Sequence, residues 1–502
     1  MNILLLVLLG LATYFIVKRS VADITKTPVW ILWLAMMAPP FAWTGWILVY
    51  GRNKPMPVAL MIGVFAISIF LYCWLIQLGR KDIKPPAPQS SDRATSQETA
   101  NSDNGAAKVR PINKEEETQL RECFPWGVYY LQNLEFRPQA VICRGHLRTK
   151  PEVAYKTIRE NIEAKFGDRF LIIFQQGLNS NPFFALVPNP QSHHLDAKRN
   201  KEVLTRPGLA LGLLAATLFT TLLVGAEIAG VTPQAVESNS AVILKGLPYA
   251  LALMAILGTH EMGHYLTGRF YKLRSTLPYF IPVPFFPGTF GAFIQLRSLL
   301  PDRKALFDVA IAGPIAGFVM TLPLLIWGLA NSTVVPLSNK AVILNFDAFK
   351  PTFSLLLTLL SKLALGTALT ADKAIDLHPV AVAGFLGLIV TAFNLMPVGQ
   401  LDGGHIVHAI FGQRQAATIA QIARFLLLIA SLMPWLVGVS LIPPYYLYWA
   451  IFLFLIPIND EPALNDVSEL DNQRDFWGLA SLGLLLIVIL PAPSFLIHLL
   501  NM

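Results

Sequence analysis

The sequence predicts an α-helical polytopic membrane protein of about 8–10 transmembrane helices, with a small soluble α+β domain inserted after the N-terminal ones. Three observations predict it. Hydrophobic residues make up 54% of the 502 and charged residues only 14%, a balance far from that of a soluble enzyme. The apolar residues gather in blocks, several of them near the ~20 residues that a spanning helix needs. One long interval between these blocks is polar first, and then shows the short alternating runs of a small folded domain.

Residues 1–79 read as N-terminal anchor helices. The apolar run 2–17 meets Lys18-Arg19 at once and lacks a basic leader and a small-residue cleavage site, so it reads as an anchor and not as a removed signal peptide. Val29–Tyr50 and residues 57–78 are two further spans, and Pro39-Pro40 should kink or split the first. Residues 80–114 turn to Pro, Ser, Gln, Asp and Asn, a linker too poor in apolar side chains to collapse.

Residues 115–195 form the soluble α+β domain. Trp126-Gly-Val-Tyr-Tyr-Leu, Gln139-Ala-Val-Ile-Cys, Phe170-Leu-Ile-Ile-Phe and Phe183-Phe-Ala-Leu-Val read as strands, and Pro151–Phe166 reads as an amphipathic helix. No catalytic constellation lies here: His146 is alone and His193-His194 sits in a polar tail, both read as solvated. Cys73, Cys123 and Cys143 have no metal-binding spacing, and the two in this domain read as free thiols.

Residues 207–502 are the membrane core. Its spans are expected at 207–230, 241–269, 307–330, 378–395, 417–439, 445–458 and 476–500, with 353–365 re-entrant or interfacial. The net charge of +8 lies mostly in the linker and loops, so it is an orientation signal and not a nucleic-acid one. Arg269, Lys272 and Arg274 follow the second of these spans, whereas residues 231–240 carry no basic side chain, which turns its C-terminal end to the cytoplasm.

That end carries Gly258-Thr-His-Glu-Met-Gly-His264. Residues four apart share a helix face, so His260 and His264 can offer two imidazoles to one metal. Glu261 then sits beside the metal, where it can take a proton from water. Two neutral imidazoles favour Zn²⁺, whose catalytic sites use three protein ligands and keep one position open. Titratable groups at bilayer depth are costly, so three in one turn imply a function.

Alternation of the spans brings the end of 378–395 to the same side, with Asn394-Leu-Met-Pro-Val-Gly-Gln-Leu-Asp-Gly-Gly-His405. Asp402 is the candidate third ligand, and His405 and His408 are weaker competitors. Pro397, Gly399, Gly403 and Gly404 should break the helix there, which is tolerated at membrane depth only under a cover of protein or in a wet cavity. Asn394 is a candidate donor to a developing oxyanion. Between the motifs, Gly313-Pro-Ile-Ala-Gly317 would let another helix approach closely. Residues 277–298 carry four prolines in their first half, which exclude a helix there, and end in the alternating Gly291-Ala-Phe-Ile-Gln-Leu-Arg297, a strand whose free edge could pair with an unwound substrate.

His260-Glu-Met-Gly-His264 with Asn394-Leu-Met-Pro and Leu401-Asp402-Gly403 resembles the site-2 protease family of intramembrane zinc metalloproteases, and its cyanobacterial and chloroplast branch most closely. Gly313 to Gly317 resembles the glycine-rich helix of that family. The chain departs from other branches in lacking a Gly-Leu-Gly-Phe segment between the motifs and a regulatory tandem domain after the core. The resemblance implies an endopeptidase with Zn²⁺ on His260, His264 and Asp402, Glu261 and Asn394 catalytic, and transmembrane proteins in the bilayer as substrates. A transporter or a non-catalytic membrane binding protein is the alternative; the chain shows no repeated halves, and Glu261 is intact. The soluble domain is expected to select substrates. The sequence names neither an oligomeric state nor the host membrane, plasma or thylakoid.

Overall fold

The computed structural model describes residues 27–51, 112–138, 140–177, 181–189, 206–337, 346–437 and 445–501, with isolated positions between 10 and 14 and between 60 and 79. Most of the runs 2–17 and 57–78, the linker up to 111, Cys73 and His193-His194 lie outside the described residues. The chain divides into two compact units, Met1–Asn104 and Gly105–Met502.

In the first unit, helix α1 (Val29–Tyr50) continues through Pro39-Pro40, so the prolines do not split it. Pro39 lacks the N–H that would bond the carbonyl four residues back. That carbonyl, of Ala35, instead accepts the Ser68 hydroxyl at 2.6 Å. A neighbouring hydroxyl thus satisfies the group that the proline frees, the usual condition for proline inside a membrane helix.

The second unit opens with α2 (Lys114–Glu122), which the polar sequence concealed; Asn113 and Glu116 close a capping box at its start. Then follow β1 (Tyr129–Arg137), β2 (Ala140–Leu147), α3 (Pro151–Phe166), β3 (Phe170–Gln176) and β4 (Pro182–Pro188). The four strands form an antiparallel sheet in the order β1-β2-β4-β3. Its core contains Tyr129, Phe184 and Phe174, with the Phe174 and Phe184 rings stacked 4.1 Å apart, under Ile158 and Ile162 of α3. Cys123 and Cys143 are buried free thiols, as expected.

The membrane core follows as α4 (Pro207–Ile228), α5 (Leu247–Phe270), the hairpin β5 (Tyr279–Pro282) and β6 (Thr289–Phe293), and α6 (Arg303–Ala330). Next come β7 (Thr333–Pro336), α7 (Leu355–Leu365), β8 (Lys373–Asp376) and α8 (Pro379–Asn394). The chain closes with α9 (Asp402–Phe411), α10 (Gln413–Val437), α11 (Tyr445–Leu455), α12 (Asn472–Ile489) and α13 (Ser494–Leu499). Helices α5, α6 and α8 pack around one apolar core. Small residues set their spacing: a methyl on Gly263 would stand 2.5 Å from the Ala312 carbonyl, and one on Gly328 2.3 Å from the Ala381 backbone.

Among the described residues, five helical segments are long and apolar enough to cross a membrane: Val29–Tyr50, Pro207–Ile228, Ser240–Phe270, Arg303–Ala330 and Gln413–Met433. The architecture is polytopic, and among the described residues the expected spans 378–395, 445–458 and 476–500 are not full-length helices. Helix α8 has 16 residues, about 24 Å of rise against a hydrocarbon core of about 30 Å. The expected last span is interrupted: α12 ends at Ile489 and α13 starts at Ser494, on either side of Pro491 and Pro493.

Candidate metal centre and active site

Helix α5 carries His260, Glu261 and His264, all three buried. The spacing of four puts the two imidazoles on one face, with Nε2 atoms 3.2 Å apart. Asp402 meets them from the start of α9, its Oδ2 lying 3.5 Å from His260 Nε2 and 3.4 Å from His264 Nε2. Among the described residues this trio alone brings three such donor atoms within 4.8 Å of one another.

These distances test whether a metal fits. Ligand atoms about 2.0–2.1 Å from a tetrahedral zinc stand about 3.3 Å from each other. The observed triangle, 3.2 to 3.5 Å on its sides, matches that spacing. The second ring nitrogen of His264 agrees as well: Nδ1–H donates to the Val309 carbonyl at 2.7 Å, which leaves Nε2 unprotonated toward the centre. The residues present fit zinc.

The backbone around the trio explains its glycines. Gly313 of α6 lies against the His264 ring, where a methyl would stand 2.0 Å from Nε2. Gly317 lies one turn on, with room for only a tight contact to His260. The expected close helix approach therefore occurs, and it occurs at the ligands themselves. Gly313→Ala is expected to displace His264 and lower zinc occupancy in the purified protein, measured by metal analysis; occupancy equal to wild type would remove this steric role.

The break after α8 positions the third ligand. The chain leaves the helix at Asn394, turns through Gly399 with φ +53°, and re-enters a helix at Asp402. Gly403 and Gly404 belong to α9 and do not break it, as the sequence suggested they would. They act by size: methyl groups there would meet the Leu395 carbonyl at 2.0 Å and the Gly399 carbonyl at 2.2 Å. At the other end of α9, the buried Arg303 donates to the carbonyls of Ala409 and Ile410, each at 2.7 Å. Those carbonyls have no partner within the helix, so the guanidinium caps it.

Asn394 Nδ2 stands 3.1 Å from His260 Nε2, which brings the amide to the rim of the metal position. His405 and His408, weighed as competing ligands, point elsewhere. His408 is fully buried, its Nδ1 2.6 Å from Asp460 Oδ2 and its Nε2 2.9 Å from Asp466 Oδ1. His405 Nδ1 is 2.8 Å from the same Asp460 oxygen, close by distance but off the direction of a hydrogen bond. Burial alone would raise the Asp460 carboxyl; the two imidazoles outweigh it and hold the group down at about 2. These acidic residues lie in the connector between the expected spans 445–458 and 476–500. No local motif marks them, because their partners lie some fifty residues away.

All five predicted site residues, His260, Glu261, His264, Asn394 and Asp402, line one cavity of about 520 Å³. Residues 292–296 form another wall, and Asp460, Glu461 and Pro462 stand at its side. The stretch 289–296 is paired on one edge only: Tyr279 opposes Phe293, Phe280 opposes Ala292, and Ser275 bridges to Leu296. Among the described residues its other edge carries no strand.

Comparison with known proteins bears on this site. Residues 248–433 match peptidase family M50. The chain is 29% identical over 379 residues to an Arabidopsis thaliana protein named "Probable zinc metalloprotease EGY2, chloroplastic", across 74% of this chain and 64% of the relative. It is 34% identical over 268 residues to the Arabidopsis thaliana "Probable zinc metalloprotease EGY1, chloroplastic", across 52% of this chain and 46% of the relative. A rice relative, "Probable zinc metalloprotease EGY3, chloroplastic", is 25% identical over 394 residues, across 76% and 64%. The chain thus spans less than two thirds of the length of these relatives. No solved structure matches it. Both motifs, at 260–264 and 394–403, fall inside the segment 248–433 that matches peptidase family M50, and the similar proteins include chloroplast proteins named as probable zinc metalloproteases.

Proposed function

We propose that the protein is a zinc-dependent intramembrane endopeptidase that hydrolyses peptide bonds in or near transmembrane segments of other membrane proteins. One observation carries the reading: the triangle of His260, His264 and Asp402 shares its cavity with Glu261 on a helix apolar enough to cross a membrane. Zinc held there would acidify a water and polarise the scissile carbonyl. Glu261 takes the proton of the attacking water and delivers it to the leaving amine, a role for which its neighbourhood to His260 suits it. Asn394 offers its amide to the carbonyl oxygen as negative charge develops.

A substrate helix hides its amides in its own hydrogen bonds, so it must unwind before attack. The unpaired edge at 292–296 supports pairing with the unwound stretch, since it lines the same cavity. Arg269, Lys272 and Arg274 support a cytoplasmic or stromal-side opening. The soluble domain, in this reading, holds the substrate segment next to the membrane.

Metal removal tests the proposal. Chelation should abolish cleavage of a reconstituted transmembrane substrate, and about one equivalent of zinc per chain should restore it. Cleavage that survives complete removal of metal would refute the zinc mechanism.

A further inference from the structure

The stretch 460–468, between α11 and α12, touches three parts of the molecule at once. Its backbone joins the sheet of the soluble domain: Phe174 N–H donates to the Leu464 carbonyl at 2.7 Å, and Asp466 N–H to the Phe174 carbonyl at 2.9 Å. Asn465 therefore lies parallel to the open edge of β3 as a short added strand. The opposite side of the same stretch pairs with the run leading into α6, through Leu464 N–H to Leu300 O at 2.9 Å and Asn465 N–H to Pro301 O at 3.0 Å. The side chains of Asp460 and Asp466 grip His408 from both sides.

His408 lies on α9, six residues after Asp402, about 9 Å along the axis. A helix this short moves as a rigid piece. It is held at its end by Arg303 of α6, and in its middle by His408. Nothing on α9 other than Asp402 belongs to the metal triangle. The buried triad of His408, Asp460 and Asp466 is costly to bury and has no place in the chemistry above, so its effect is on geometry.

We infer that His408 is a positioning residue for the third zinc ligand, and that the strap 460–468 couples it to the soluble domain. Docking of the β3 edge on the strap and correct placement of Asp402 are then linked events. Linkage is reciprocal: metal bound at Asp402 must tighten the strap and β3, as β3 docking favours metal. The soluble domain on this view acts on the site through Asp402, beyond any hold it has on substrate. The inference rests on the zinc-site reading above.

The test uses the full-length protein in detergent, with zinc as the probe and amide hydrogen exchange as the readout. In the wild type, zinc should slow exchange at 460–468 and at 170–176, while 129–147 on the far side of the sheet stays unchanged. His408→Gln should bind zinc about tenfold more weakly, the lower range for lost supporting contacts, and should lose the zinc effect at 170–176. Asp466→Asn keeps an acceptor for the ring and should stay closer to wild type in both respects. Unaltered zinc affinity in His408→Gln, or a zinc effect at 170–176 that survives in it, overturns the inference. Should that variant fail to fold, the wild type still decides, because exchange at 170–176 indifferent to zinc overturns it alone. A wild type that binds no zinc at all would instead bring down the metalloprotease reading.

Discussion

Glu261→Gln is expected to leave zinc bound and to stop cleavage. The amide keeps the size and one acceptor oxygen of the carboxylate, so the two imidazoles flanking it and Asp402 retain their places. It cannot take up a proton, and the leaving amine loses its donor in the same stroke. General acid–base groups contribute about 10²- to 10⁴-fold, and Glu261 serves in both directions in the proposed mechanism, so the loss should lie toward the upper end. Metal analysis and a cleavage assay on one preparation check it. Turnover within a few-fold of wild type at full zinc occupancy would remove Glu261 from the mechanism.

Asp402→Ala should cost the metal itself. With the carboxylate gone, two imidazoles remain of a three-ligand set, and no other carboxylate or imidazole among the described residues joins the group. Loss of an outer supporting contact costs about 10- to 100-fold in metal affinity, so loss of a ligand should exceed about 100-fold. Full zinc occupancy in this variant would mean that His405 turns from Asp460 and takes the position, the alternative weighed from the sequence. His260→Ala and His264→Ala should behave as Asp402→Ala does.

What the sequence disclosed follows the range of the physical signals. The pair His260 and His264 was legible because a helix converts a spacing of four into a shared face. Asp402 was legible because glycines and a proline flag a broken helix, and Asn394 came with it. The soluble domain's strands were legible from their alternation, and Pro151–Phe166 from its amphipathic period. Helix α2, at the start of the soluble domain, was missed because Lys114-Glu-Glu-Glu-Thr-Gln-Leu-Arg-Glu122 is polar almost throughout and shows no apolar period, with one buried side chain, Leu120.

Longer-range features were not legible. Nothing in Pro39-Pro40 announces that Ser68 will accommodate the first of them. Nothing near Asp460 and Asp466 announces His408, since the contact exists only once α9 and the strap have packed. Among the described residues, fewer of the expected spans are full-length helices, for a related reason. Apolar composition reports burial equally in lipid and in protein, and α8, with eleven buried residues of 16, is buried mostly by its neighbours.

The central claim is that zinc at His260, His264 and Asp402, with Glu261, cuts a peptide bond within a membrane segment. The most direct measurement is the cut itself. Purified zinc-loaded protein is incubated with a membrane-protein substrate in bilayers, and the products are mapped by mass spectrometry. The account predicts a new terminus in or beside the substrate's apolar segment, absent after chelation and absent with Glu261→Gln. A substrate that stays intact beside fully zinc-loaded protein, after the same screen has included those trapped by Glu261→Gln, would contradict it, as would a cut that persists in the variant.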